Sequence, residues 1–482
     1  MVERSGAQIG KNAFLQSVSI LLALMILAGV LTRIIPAGTF QRQEVDGRQV
    51  VLMESYTPTT QPNYPLWRWF TAPVEVLGSE MGLNIIVIVI VVFFAGIAFA
   101  VLDKTGILQA FISLLILRFG ADKYRLLWMV SFGFMLLGAT LGTFEEVVPL
   151  IPIMIVLAYS MGWDALVGLG ISILATNMGF SAAISNPFTL GVAQNLSGLP
   201  AGSGLWFRLV IFVCMYLILM WFLDSYARKI EKDPRSSLLF SLDQKERAKY
   251  RDQRSFAAEV TQSQVSAIRF FAVFVGLIIL SMLVVPSVAS LADYSLPIVG
   301  ILFLVGGVGA GVISGAGNAK IGSAVSDGLI GLLPAIPLIL MAASIRFIID
   351  SGGITDTILY QAAKPIQSLG AFPASLVYYT LALGIEFFIA SGTAKAFLII
   401  PILMPLADLV GLTRQTAVMA YIFGDGFANL AYPTNPVLLI SLGLTSVAYP
   451  LWLKWTAKLW LAVIAATVVF LGIATLIHLG PF

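Results

Sequence analysis

The chain has 482 residues, 59% of them hydrophobic and 11% charged, with a formal net charge of +3 and a mean hydropathy of +0.94. Those proportions exclude a water-soluble globular surface and leave a lipid bilayer as the solvent. One cysteine, Cys214, and one histidine, His478, deny the chain a disulfide framework, a thiolate metal site, a zinc centre or a histidine-based triad, so no enzyme is expected.

A helix needs roughly 20 apolar residues to cross about 30 Å of hydrocarbon. Such windows recur at 14–35, 81–102, 125–141, 147–162, 205–223, 268–288, 294–316, 329–349, 373–390 and 453–477. Unbroken runs such as IIVIVIVVFFAGIAFAVL predict helices rather than the short alternating strands of a β-barrel. The expected class is an all-α polytopic membrane protein. The first run follows a basic flank, as a signal peptide would, but it is too long for a signal core and lacks a small-residue cleavage site; it is expected to be a retained helix.

Segment 37–80 carries three Arg against five acids, with Tyr64, Trp67 and Trp69 suited to an interfacial aromatic belt. Segment 225–269 carries ten Lys/Arg against six acids and is expected in the cytoplasm, which puts the amino terminus, with Arg4 and Lys11, on the same side.

Internal comparison reveals a duplication. AFAVLDKTGI (98–107) aligns with IRFIIDSGGI (345–354), GTFEEVVPLIP (142–152) with GTAKAFLIIP (392–401), and AISNPFTLGVAQNLSGLP (183–200) with YPTNPVLLISLGLTSVAY (432–449). The distance from Pro152 to Asn186 equals that from Pro401 to Asn435. The expected plan is a first repeat over 1–224, a cytoplasmic linker over 225–267, a connecting helix over 268–290 and a second repeat over 291–482. The connecting helix lacks a counterpart in the first half, so it adds one crossing and turns the second repeat over. Inverted repeats meeting at the midplane are a transporter architecture.

Each repeat contains two interruptions. Pro149 and Pro152 follow Glu145 and Glu146, and Pro401 and Pro405 follow Ser391, Gly392, Thr393 and Lys395. Proline frees carbonyls that lipid cannot satisfy, so such breaks survive only against protein or a water-filled cavity; two re-entrant hairpins are expected. The second pair, Asn186-Pro187 and Asn435-Pro436, predicts two broken helices whose ends face an anion or a small cation. Hairpin and broken helix fall within 138–200 in one repeat and 386–446 in the other.

The motifs GTFEE, ISNPFTLGVAQ, SGTAKA and FGDGFANLAYPTNP, in this order, resemble the four-carbon dicarboxylate carrier family of the DcuC and YfcC type, within the ion transporter superfamily. The resemblance runs along essentially the whole chain and is strongest across 138–200 and 386–446. It implies an elevator-type secondary carrier, with a mobile transport domain moving past a scaffold that is commonly dimeric. Superfamily members use Ser-Asn-Thr-like motifs for sodium and carboxylate; here those positions read Ser185-Asn186-Pro187 and Thr434-Asn435-Pro436.

The candidate substrate site draws on the first tip and break, with Thr143, Glu145, Glu146, Asn186, Phe188 and Thr189, and on the second, with Ser391, Gly392, Thr393, Lys395, Asn435 and Pro436. The candidate site for the coupling ion, Na⁺ or H⁺, draws on Asn177, Ser185, Asn186, Asp425, Asn429, Thr434 and Asn435. Several of these have a structural alternative. Glu145 and Glu146 would be a solvated turn if they reached the surface, but a charge at bilayer depth is expensive and marks function. Lys395 would either neutralise them or meet a substrate carboxylate, and Asp425 would cap a broken helix if it did not bind a cation. Arg346 and Asp350 have the spacing of a helical ion pair, Glu386 is a partner for Arg346 or Lys395, and Asp164 and Arg414 follow helix junctions as interfacial charges would. The small-residue run GGVGAGVISGAG (306–317) lacks the Lys-Ser/Thr of a nucleotide loop and reads as close helix packing, which argues against an ATP-driven pump.

The expected function is ion-coupled secondary transport of a small carboxylate-bearing solute, a dicarboxylate or an amino acid, across a bacterial inner membrane. Exchange of a basic amino acid such as arginine or ornithine is the alternative, because Glu145, Glu146 and Asp425 bring acids to the centre. A passive channel would need a continuous polar file, whereas the polar residues here gather at paired breaks. Expected partners are the solute, the coupling cation, membrane lipid and a second copy of the chain, with no nucleic acid and no cofactor.

Overall fold

The structure is a computed structural model that describes residues 11–45, 48–52, 55–79, 82–119, 122–200, 202–242, 260–284, 294–445 and 447–480. Arg4 and much of the 225–267 linker lie outside these residues. Helix α1 (Lys11–Ile34) leads into short strands: β1 (Gly38–Thr39) pairs antiparallel with β4 (Thr57–Pro58), and β2 (Arg42–Val45) with β3 (Arg48–Val51). Then follow α2 (Arg68–Glu75), α3 (Gly82–Lys104), α4 (Ile107–Phe119) and α5 (Lys123–Leu141). After a 3-10 turn (Glu145–Leu150) come α6 (Ile151–Ser160), α7 (Ala165–Leu169), a π turn (Gly170–Leu174) and α8 (Ala175–Ala182). Past the first break lie a second π turn (Pro187–Gly191), α9 (Val192–Leu196) and α10 (Leu205–Lys232).

The remaining helices are α11 (Gln262–Val284), α12 (Ser295–Ile313), α13 (Asn318–Leu332), α14 (Ala335–Ser351), α15 (Thr355–Ala363) and α16 (Ala371–Glu386), followed by α17 (Gly392–Leu409), α18 (Arg414–Ala428), α19 (Pro436–Gly443) and α20 (Tyr449–Leu476). Among the described residues, seven helical stretches are long and apolar enough to cross a membrane.

Their outer faces suit lipid. On α10, Leu209, Val213, Leu217 and Trp221 recur at four-residue spacing and are all exposed, the single stripe expected of a helix half-turned to hydrocarbon. α10 has 28 residues, about 42 Å at 1.5 Å per residue, so it runs through Lys232, past the expected linker start at 225. The connecting helix likewise starts earlier than expected, at Gln262, and residues 285–293 are outside the described set. Helices outside the expected apolar windows include α4 and α13. α13 is diluted by Lys320, Ser323, Ser326 and Asp327, which interrupts its apolar run; Asp327 takes an ion pair from Lys104 of α3 at 2.7 Å.

Packing follows a reciprocal pattern. α3 lies between α12 and α13, while α14 lies against α1 and α2. α5 packs on α8, and α16 on α18. Both of these contacts are backbone-close: a Cβ at Gly138 or Gly179 would overlap carbonyls of α8 or α5, and one at Gly424 would overlap the Tyr379 carbonyl of α16. Across the halves, α17 packs on α9 and on the π turn of the first break, and the 3-10 turn after α5 packs on α19, beyond the second break. Each tip therefore rests on the broken helix of the other half. A small apolar cavity of about 10 Å³, lined by Val92, Gly96 and Phe99 of α3 and by Pro149, Pro152 and Leu444, lies where α3 meets the first tip.

Candidate functional site

At the first break, Ala183 takes a positive φ of 43°, α8 ends, and Asn186-Pro187 restarts the helix. The Asn186 carboxamide oxygen accepts from the amides of Phe188 (2.9 Å) and Thr189 (3.3 Å), satisfying donors that a helix start leaves free. Pro187 sits at the first helical position, where a missing N–H costs nothing. The second break repeats this chemistry: the Asn435 oxygen accepts from Val437 N at 3.0 Å, Pro436 follows, and the Asn435 amide donates to Asn429 Oδ1 at 3.1 Å. Ser185 donates to the Thr140 carbonyl at 3.1 Å, joining the break to the end of α5.

The first tip turns at Gly142, φ +67°, where a Cβ would overlap the Asn186 carboxamide; only glycine combines that backbone with that approach. Beyond it Thr143 is buried, and Glu145 and Glu146 are half-buried. Glu146 Oε2 accepts from Phe144 N at 3.1 Å, and the Phe144 ring lies 5.8 Å from that of Phe180 on α8.

The second tip starts at Ser391, which caps α17 by accepting from Ala394 N at 3.4 Å. Thr393 Oγ1 reaches into the first break and donates to the Phe188 carbonyl at 2.8 Å. Gly392 is wedged between the Thr189 methyl and the Asp425 carboxylate, and its carbonyl accepts from the Tyr421 hydroxyl. One turn on, Lys395 is wholly buried; its ammonium forms an ion pair with Asp425 Oδ1 at 2.7 Å and another with Glu386. Both acids are 1% exposed.

The structure thus decides several alternatives. Lys395 pairs with Glu386 and Asp425, not with Glu145 and Glu146. Asp425 pairs with Lys395 rather than capping the broken helix. Arg346 and Asp350 form the expected helical pair at 3.3 Å. Asp164 is not interfacial: it is fully buried, caps α7 by accepting from Val167 N at 3.1 Å, and accepts from the hydroxyls of Tyr226 and Ser237. Arg414 is partly exposed and holds Asp408 at 2.6 Å.

Four buried polar side chains around the breaks have atoms without a protein partner: Thr143 Oγ1, Thr189 Oγ1, Thr434 Oγ1 and both carboxamide atoms of Asn177. Buried polar groups are nearly always bonded, so such a concentration at the breaks suits a ligand or bound water. Sequence reasoning missed Arg208 on α10. It is 4% exposed, donates to the Ser203 carbonyl at 2.5 Å and to the Ile184 carbonyl at 3.4 Å, and lines a small cavity of about 10 Å³ with Ser181, Gln415 and Phe423. A lone arginine in the apolar run LWFRLVIF was the available signal. Its positive charge meets the carbonyl end of α8, the sign a helix C-terminus favours.

Multiple apolar crossings, with polar side chains gathered where two helices break, are the build of a multi-pass membrane protein of the transporter class. The C4-dicarboxylate anaerobic carrier (DcuC) family model matches residues 14–477, and the chain belongs to that family of transporters. The YfcC protein of Escherichia coli strain K12, named as a candidate basic amino acid antiporter, is 30% identical over 94% of this chain and 95% of its own. A Haemophilus influenzae protein is 24% identical over 92% of this chain and 93% of its own. Solved structures similar to this one include the YdaH transporter of Alcanivorax borkumensis (TM-score 0.42, 16% identity, 97% of this chain and 100% of that one). Another is MtrF of Neisseria gonorrhoeae, described among antimetabolite efflux pumps (TM-score 0.45, 17% identity, 97% of each chain).

Proposed function

We propose that this protein is an ion-coupled secondary carrier that exchanges a basic amino acid, such as arginine or ornithine, across the bacterial inner membrane. The observation that carries the reading is the charge balance of the tips and of the helices beside them: Glu145, Glu146, Glu386 and Asp425 are set against Lys395. A substrate with two carboxylates would meet an excess of like charge there, whereas a guanidinium or ammonium would be paired by it. The name of the YfcC relative points the same way. Transport of a dicarboxylate is the second reading, favoured by the family description; in it the acids serve the coupling cation, and Lys395 with Arg208 attracts the anion.

Transport proceeds by an elevator motion of the two tips and broken helices, 138–200 and 386–446, past a scaffold that dimerises. The reciprocal packing of each tip on the opposite broken helix supports inverted repeats acting as one body, and the wholly apolar contact of Val92, Gly96 and Phe99 with Pro149 and Pro152 suits a sliding seam. The amino terminus is cytoplasmic. The backbone ends and unpartnered side chains of Asn177, Thr143, Thr189 and Thr434 form the lining, with Asn186, Phe188, Asn429, Asn435 and Pro436 supplying the restarted helices.

The test is thermal stability of the purified protein against arginine, ornithine, aspartate, succinate and fumarate, each with Na⁺ or choline. A ligand at about 100 times its dissociation constant adds roughly 2.7 kcal/mol to the folded state. Stabilisation by arginine or ornithine supports exchange; stabilisation by succinate alone overturns it in favour of the second reading. Glu145→Gln with Glu146→Gln should abolish uptake in a folded protein, and unchanged uptake would remove both acids from the site.

A further inference from the structure

The cluster around Lys395 is unbalanced. Two carboxylates, on Glu386 and Asp425, share one ammonium, and all three side chains are no more than 1% exposed. Among the described side chains, none supplies a second cation in contact with the three. On α16, Tyr378 donates to the Leu403 carbonyl at 2.7 Å, and Tyr379 is buried nearby on the same helix. On α18, Tyr421 donates to the Gly392 carbonyl. α9 (VAQNL) and the π turn of the first break (PFTLG) carry no titratable side chain. Arg346 on α14 is bound to Asp350, Asp356 on α15 is bound to Arg42 at 2.8 Å, and Lys364 sits over the Tyr360 ring at 4.6 Å.

A sealed site holding a net charge of −1 is far less favourable than a neutral one. Neutrality requires one more proton than the lysine carries, shared between the carboxyls as a coupled group. We infer that the Glu386–Lys395–Asp425 cluster holds one exchangeable carboxyl proton in the closed state and releases it when a cationic substrate binds, so that the coupling ion is H⁺ rather than Na⁺. This inference rests on the basic amino acid reading. The step balances: a carboxyl O–H bond breaks, its proton leaves to the aqueous side, and the substrate's guanidinium or ammonium supplies the positive charge that the proton had supplied. Lys395 meanwhile fills the position beside Asp425 that a sodium ion would need, with its ammonium against Oδ1 at 2.7 Å. Gly392 and Thr393 tie this cluster to the first break, since Gly392 abuts both Asp425 and Thr189 and Thr393 bonds the Phe188 carbonyl. Movement of the second tip therefore exposes the carboxyls and the break together.

The experiment is isothermal titration of arginine into the purified full-length protein, with choline in place of Na⁺, in two buffers of different ionisation enthalpy. The difference in heat counts protons released. About one proton per arginine bound is expected, by linkage between ligand and proton binding, with no change when Na⁺ is added. In Glu386→Gln the lysine and Asp425 already balance, so the count falls toward zero and arginine binds more weakly, while Glu386→Asp restores both. A count of zero in the unmodified protein, arginine binding that requires Na⁺, or a full proton still released by a folded Glu386→Gln variant overturns the inference. Binding with no proton release leaves the basic amino acid reading standing; failure of both arginine and ornithine to bind removes that reading and this inference with it.

Discussion

The three charges at the second tip make an asymmetric prediction about stability. Replacing Lys395 by methionine keeps most of the side-chain volume but strands Glu386 and Asp425 as two acids without a cation, in a place where neither reaches solvent. Removing one partner of a buried ion pair typically costs about 3–5 kcal/mol. Unfolding entropy of roughly 2.1 cal/mol/K per residue, taken over 482 residues, amounts to about 1 kcal/mol per degree, so Lys395→Met should lower the melting temperature by about 3–5 °C. Glu386→Gln or Asp425→Asn leaves one acid facing one ammonium, so each should cost under about 1 kcal/mol and shift the melt by about a degree or less. The assay is a thermal melt of detergent-purified variants followed by size-exclusion chromatography. If either carboxamide variant falls as far as Lys395→Met, the cluster does not contain a surplus carboxylate, and the reasoning from charge balance fails.

Three further expectations follow from the same geometry. Gly392→Ala places a methyl against the Thr189 side chain and Asp425; overpacking of this kind costs about 1–3 kcal/mol, and a melt within half a degree of the parent would show that the tip is looser than described. Asn186→Ala and Asn435→Ala each remove a helix cap worth about 0.5–2 kcal/mol, with the larger loss at Asn186, which holds two amides; thermal melts of the two variants check the order. Thr189→Val deletes a hydroxyl that has no protein partner, so stability should stay within about 0.5 kcal/mol while ligand affinity drops, and a variant that binds arginine as tightly as the parent would take Thr189 out of the lining.

Much of the fold could be read before any coordinates, because the bilayer restricts a chain so severely. Runs of apolar residues had to become helices, and Asn-Pro inside such runs had to become breaks, since lipid offers nothing to a freed carbonyl. α4, with 13 residues, is shorter than the roughly 20 that mark a crossing, and α13 was hidden by polar residues whose partner is remote in sequence, as with Asp327 and Lys104. Burial of Asp164 was hidden for the same reason: a Gly-Trp-Asp junction looks interfacial until Tyr226 and Ser237 close over it from α10 and the segment after it. Candidate residues at the breaks were legible as polar atoms in apolar surroundings. Their pairings were not, because whether Lys395 meets Glu145 or Glu386 depends on the crossing of four helices and not on spacing.

The two tips differ in charge, and that difference carries mechanistic content. In the first half the tip itself bears Glu145 and Glu146, and Glu146 is used on the turn's own Phe144 amide. In the second half the tip bears Lys395, and the acids stand behind it on α16 and α18. A two-fold-related pair of identical cation sites would require like residues at like positions, and the chain has opposite charges there. The two halves therefore cannot hold the same ion in the same way. Under the proposed exchange, the tethered ammonium is the fixed counter-charge of the second tip, and the first tip, with half-buried Glu145 and the unpartnered Thr143 hydroxyl beside it, takes the mobile cation whose arrival the Glu386–Asp425 pair answers by losing its proton. Exchange of Lys395 for glutamine together with Glu145 for lysine would move the counter-charge to the other tip. Such a variant should lose arginine binding while retaining its fold, and arginine binding in it at the parent's affinity would refute the assignment of the two tips to different roles.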